Sequence, residues 1–200
     1  RINEAVLGIK QAPVTSPYGM LGESSVPSNG TLTRFFEDQE TRTTSEVIKQ
    51  IEGMVSPANK VLLKKIQRLI DPKMPVQMVT ALTKDGATNS KEMGARGWFA
   101  YKGDASAVYV LSPEFKLSGL TPELLVHELL HAALARTIEN PKAPEAKTLV
   151  KSLNQLKNLV VAFQNAHPEL KQQFPMHLDV HNLVSWGMSD LAFQRDVLAQ

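Results

Sequence analysis

Cysteine is absent from the 200 residues. That absence excludes disulfides and thiolate ligands, so any zinc has to be held by imidazole, carboxylate or carbonyl groups. No apolar run approaches the roughly 18 residues of a membrane span. Nor does an amino-terminal segment combine a charged start, an apolar middle and a small-residue cleavage site. The chain reads as soluble, with no membrane span. An excess of one charge is missing too: 22 basic and 20 acidic residues leave +2, and the cations are scattered apart from Lys64, Lys65 and Arg68. No electrostatic footprint for nucleic acid stands out, and none is expected as a partner. Repeats and low-complexity tracts are also lacking. A hydrophobic content of 42% in 200 residues allows one substantial core. The chain starts at Arg1 and stops at Gln200 in a helix-like stretch, so it is expected to be part of a larger polypeptide.

What is present is the run His127-Glu128-Leu129-Leu130-His131 inside an apolar segment. Residues four apart stand on one helix face, so both imidazoles can reach a single cation. Glu128 projects from the adjoining face, where it can take a proton from water activated by that cation without being a ligand. The helical context is explicit: Thr121 is a good N-cap, Pro122 suits the first helical position and Asn140-Pro141 supplies a stop. Leu124, Leu125, Val126, Leu129, Leu130, Ala132, Ala133 and Leu134 leave hardly any polar face. Two histidines and a glutamate buried there without partners cost about 1–3 kcal/mol per lost hydrogen bond, which a metal would offset. The competing reading is a pair of core histidines hydrogen-bonded to backbone.

Residues 1–43 are rich in Pro, Gly, Ser and Thr and read as an extended arm or linker, with a weak helical signal at 33–40. The remainder, 44–200, reads as one domain. It opens with a helical hairpin at 44–54 and 57–70, where Val47, Ile48 and Ile51, then Val61, Leu62, Ile66 and Leu69, keep helical spacing. Strands are predicted at 76–80, 97–101 and 107–111, the last two joined as a hairpin through 102–106, with a polar loop at 84–95. A second long helix at 144–165 has Leu149, Val150, Leu153, Leu156, Leu159, Val160 and Phe163 in one stripe, read as core packing. A last strong helix covers 179–188, with a short one from Leu191 onward.

This order resembles the zincin metallopeptidases, in particular the compact metallopeptidase domains of large polyvalent proteins of bacteriophages and mobile elements. The resemblance spans 76–194. Its anchors are Gly97-Trp98-Phe99, Ala107-Val108-Tyr109-Val110-Leu111, the segment around His127, Glu128 and His131, and Leu183-Val184-Ser185-Trp186-Gly187-Met188-Ser189-Asp190 with Phe193-Gln194. It implies an α+β, zincin-like fold with a small, mostly antiparallel sheet packed on the H-E-x-x-H helix and further helices. One departure stands out: the family has a metal-completing glutamate where this chain has Asn182. Three candidates for the third ligand stay open, namely His181, Asp179 and the carbonyl oxygen of Asn182, and His181 is the favoured one. Asp179 can equally cap its helix. Trp186 reads as core packing, Asp190 as a turn or cap residue, and His167 and His177 as surface residues.

The expected function is zinc-dependent peptide hydrolysis, with Zn²⁺ on His127, His131 and His181 and Glu128 as general base. The resemblance implies a peptide substrate lying along the strand at 108–111, with Tyr101, Tyr109 and Arg96 as chemically suitable oxyanion donors. The setting it implies is a phage or mobile-element protein, virion-associated or delivered into a bacterial host cytoplasm. The alternative is a catalytically inactive zincin-like structural or interaction domain of a virion-associated protein, a reading that Asn182 favours.

Overall fold

The computed structural model describes residues 10–11, 28–80, 97–101, 106–113, 119–173 and 179–199. Side-chain caps start most of the helices. The Asn29 side chain accepts from the Thr31 and Leu32 amides to open α1 (Gly30–Glu37). Thr43 and Glu46 satisfy each other's backbone amides in a capping box that opens α2 (Thr44–Ile51). Ser56 opens α3 (Pro57–Leu69) by accepting from the Asn59 amide, with Pro57 in the first turn. Buried Val47, Ile48 and Ile51 of α2 and Leu62, Leu63 and Ile66 of α3 face the common core.

Among the described residues five strands form one mixed sheet: β1 (Lys10–Gln11), β2 (Thr41–Thr43), β3 (Pro75–Val79), β4 (Gly97–Tyr101) and β5 (Ala107–Leu111), in the order β1-β4-β5-β3-β2. Only β3 and β5 run parallel; the other three pairs are antiparallel. Phe99, Val108 and Val110 point from one face into the core, where α4 (Pro122–Glu139) lies across them beside α2 and α3. Trp98 and Tyr109, paired in register, stack on the opposite face with ring centroids 5.1 Å apart. The chain is therefore α+β. Beyond α4 come α5 (Pro144–Ala166), α6 (Pro168–Gln173), α7 (Val180–Ser189) and a short α8 (Leu191–Phe193) that widens into a π-helical turn at Gln194–Leu198. A second cluster of Val160, Leu183, Trp186, Phe193 and Val197 ties these together, so Trp186 is core. No helix among the described residues is long and apolar enough to cross a membrane.

Three expectations need revision. Within the segment read as an arm, 28–43 is built into the domain: α1 buries Leu32 and Phe36 fully, roughly 1.5–3 kcal/mol of apolar burial each, and β2 pairs with β3. Few apolar residues suffice there because a good cap places them. The strand proposed to receive substrate, β5, has neighbours on both sides and offers no edge. The stripe on α5 is core only in part: Val160 and Phe163 join the second cluster, while Leu149, Leu156 and Leu159 are 53%, 41% and 68% exposed. Only Val160 and Gln164 of that helix are buried, and Leu149, Val150, Leu153 and Leu156 line an open apolar groove against α4 and α7. The loop expected at 84–95 and the hairpin turn at 102–105 lie outside the described residues.

Candidate metal centre

The site is built on two helices that lie against each other. Thr121 caps α4 by accepting from the Leu124 amide, and Pro122 occupies its first turn. In the turns that follow nearly every side chain is buried, including His127 and His131 at 1% exposure and Glu128 at 0%. Helical spacing stacks the two imidazoles with centroids 4.8 Å apart and their Nε2 atoms 3.1 Å apart. Two nitrogens on one tetrahedral zinc at about 2.0–2.1 Å stand roughly 3.3 Å apart, so the pair fits a shared cation.

Proton positions agree with that fit. Ser189 donates its hydroxyl hydrogen to the Ser185 carbonyl, so the 3.5 Å contact between Ser189 Oγ and His127 Nδ1 runs from the ring N–H to the oxygen. It is at the long limit of a hydrogen bond, and its direction matches a ring protonated on Nδ1. Nε2 of His127 then presents a bare lone pair. Burial holds both imidazoles neutral: His127 is lowered to about 3, and His131 is lowered well below its ordinary value by burial and by the neighbouring His127 and His181. A neutral ring is the metal-binding form.

Glu128 leans on the sheet instead. A methyl group at Gly97 of β4 would stand 3.1 Å from Glu128 Cγ, 3.2 Å from the Tyr109 carbonyl oxygen and 3.3 Å from Glu128 Oε1. The carboxyl therefore lies against bare backbone. Both of its oxygens are buried without a hydrogen-bond partner, and burial raises its pKa well above the usual carboxylate range. An acid left unpartnered in such surroundings is costly, and perturbed carboxyls of this kind concentrate at functional sites. Gly97→Ala is expected to lower stability by about 1–3 kcal/mol, because the backbone oxygen cannot yield. Urea unfolding checks this against Gly30→Ala, where open space surrounds the new methyl and little change is expected.

From α7, His181 stacks near His131 with centroids 6.1 Å apart, and its Nε2 lies 3.0 Å from Glu139 Oε1. Among the described residues no set of three His, Cys, Asp or Glu side chains converges closely enough to hold an ion. Two imidazoles meet, and the third stands beside them, engaged elsewhere. Asp179 caps α7 by accepting from the Asn182 amide at 2.7 Å, and Asn182 is fully buried. Tyr109 is no oxyanion donor, because it points to the sheet face opposite Glu128. The Arg96 position and the Tyr101 side chain lie outside what is described. Asp190 accepts from the Phe193 amide as a cap, His167 pairs with Glu169 at the surface, and His177 is outside the described residues.

Sequence reasoning passed over Glu139, Ser189 and the role of Gly97. Glu139 had a legible signal: it lies eight residues after His131, on the same face of α4. Comparison with protein-family models, curated proteins and solved structures returns no match.

Proposed function

We propose that this chain is a zinc-dependent peptidase domain of the zincin type, part of a larger phage or mobile-element protein. The observation that supports it most is the 3.1 Å approach of the His127 and His131 Nε2 atoms beside a buried, unpartnered Glu128 carboxyl. His127 and His131 would hold the ion, which when bound supplies Lewis acidity for water and for a peptide carbonyl. Glu128 takes the proton from the attacking water and returns it to the leaving amine. A cation held beside Glu128 would favour the ionised carboxylate, against the burial that raises its pKa. Gly97 lets the carboxyl sit against β4, which pairs with β1 at Ala100 and Tyr101.

A second reading, an inactive zincin-like interaction domain, is favoured by the lack of a converging third acidic or histidine ligand among the described residues and by Asn182. Hydrolysis of an unfolded protein separates the two. Cleavage that stops in a zinc chelator and returns on adding zinc is the expected outcome, whereas cleavage undiminished by the chelator, or none with zinc supplied, rejects the peptidase reading.

A further inference from the structure

We propose that α5 is the interface of a two-fold homodimer, in which the helices of two copies pair antiparallel about Leu156. The proposal is independent of the metal reading. Of the six large apolar side chains exposed among the described residues, three belong to α5: Leu149, Leu156 and Leu159. A fourth, Met188 of α7, lines the same groove as Leu149 and Leu156. That groove has a volume of about 370 Å³, and none of its described lining residues is charged. Apolar surface gathered in this way marks an interaction site, whereas single scattered side chains do not.

The pattern on α5 is complementary to itself. Residues i, i+3, i+4 and i+7 of a helix bound a hole that accepts one side chain of a facing helix. Leu149, Ser152, Leu153 and Leu156 form such a set. At 1.5 Å of rise per residue the centre of this hole lies about 5 Å from Leu156 toward the start of the helix, and Leu159 lies about 5 Å from it toward the end. A two-fold axis at Leu156 with the helices antiparallel therefore brings each Leu159 level with the hole of the other copy. Charges agree with that register. Glu145 comes level with His167, Lys157 with Gln155, and no charged residue of α5 meets a like charge. Lys147 and Lys151 stand two residues either side of Leu149, about 200° round the helix from it, and so point away from the pair. A parallel pairing would instead set Glu145 against Glu145. An uncharged groove offers an acidic or basic partner nothing to pair with, whereas a second copy supplies both the protruding leucine and the hole, from one patch used twice.

Sedimentation equilibrium of the full chain tests the proposal, and a dimer is expected at about 100 µM. Leu159 is 68% exposed, so Leu159→Lys leaves the core of each copy intact while placing a charge in the paired surface. This variant is expected to weaken dimerisation by about 30-fold or more with an unchanged circular dichroism spectrum. The chain has no cysteine, so single cysteines report the register. Under mild oxidation Leu156→Cys is expected to cross-link to its own counterpart. Leu149→Cys is not, because its two copies stand about 21 Å apart along the paired helices. A monomeric wild type, a dimer indifferent to Leu159→Lys, or cross-linking through Leu149→Cys as efficient as through Leu156→Cys overturns the proposal and leaves the groove to another occupant.

Discussion

Replacing Glu128 by glutamine is expected to lower peptide hydrolysis by about 10²- to 10⁴-fold while zinc stays bound. The amide keeps the shape of the side chain in its slot against Gly97, but it cannot accept and return a proton. The loss belongs in kcat, because the proton transfer is made only in the transition state. A companion effect reports the burial of the carboxyl. The carboxyl is raised well above 4.5 by burial, so above pH 4.5 the unfolded chain loses a proton that the metal-free fold retains. Stability falls with rising pH until the raised folded-state pKa is passed. Glutamine removes that dependence, so the melting temperature of the variant relative to wild type climbs as pH rises from 4.5. A Glu128→Gln enzyme that turns over at the wild-type rate would remove this residue from the chemistry.

The second large effect is acid lability of the metal-free protein. His127 is lowered from 6.5 to about 3 and His131 is lowered as well, both chiefly by burial. Their folded pKa values lie below the unfolded ones, so their contribution is complete above pH 6.5 and is lost as pH falls toward 3. For His127 the gap is worth roughly 5 kcal/mol at about 1.36 kcal/mol per unit. Typical domain stability is about 5–15 kcal/mol, so a loss of this order is a large share of it. Glu128 opposes the loss until pH 4.5, below which the decline steepens. Urea midpoints between pH 7 and 3.5 check this; His127→Gln is expected to flatten the profile, and a wild-type profile without a decline contradicts burial of the neutral pair.

The parts of the molecule legible in sequence are those fixed by neighbours along the chain. Thr121-Pro122, Ser56-Pro57 and Asp179 mark helix starts because their side chains cap amides two or three residues on. The alternation around 97–101 and 107–111 marks β4 and β5. His127, Glu128 and His131 are legible for the same reason, since helical spacing alone brings the two rings together. What was missed depends on tertiary contact. β1 and β2 are too short to show alternation, and α1 is embedded in turn-forming residues. The stripe on α5 has a core-like period but only part of it is covered. The Glu128 slot at Gly97 and the His181 to Glu139 bond join residues from different elements, and no local pattern announces such pairs.

The central claim is that the paired imidazoles of α4 hold one divalent cation, and elemental analysis of purified protein tests it most directly. After dialysis against trace zinc, the wild type is predicted to retain about one zinc per chain, and His127→Ala or His131→Ala none, with folding verified by circular dichroism. Zinc-free wild type under these conditions, or zinc retained equally by both alanine variants, contradicts the account.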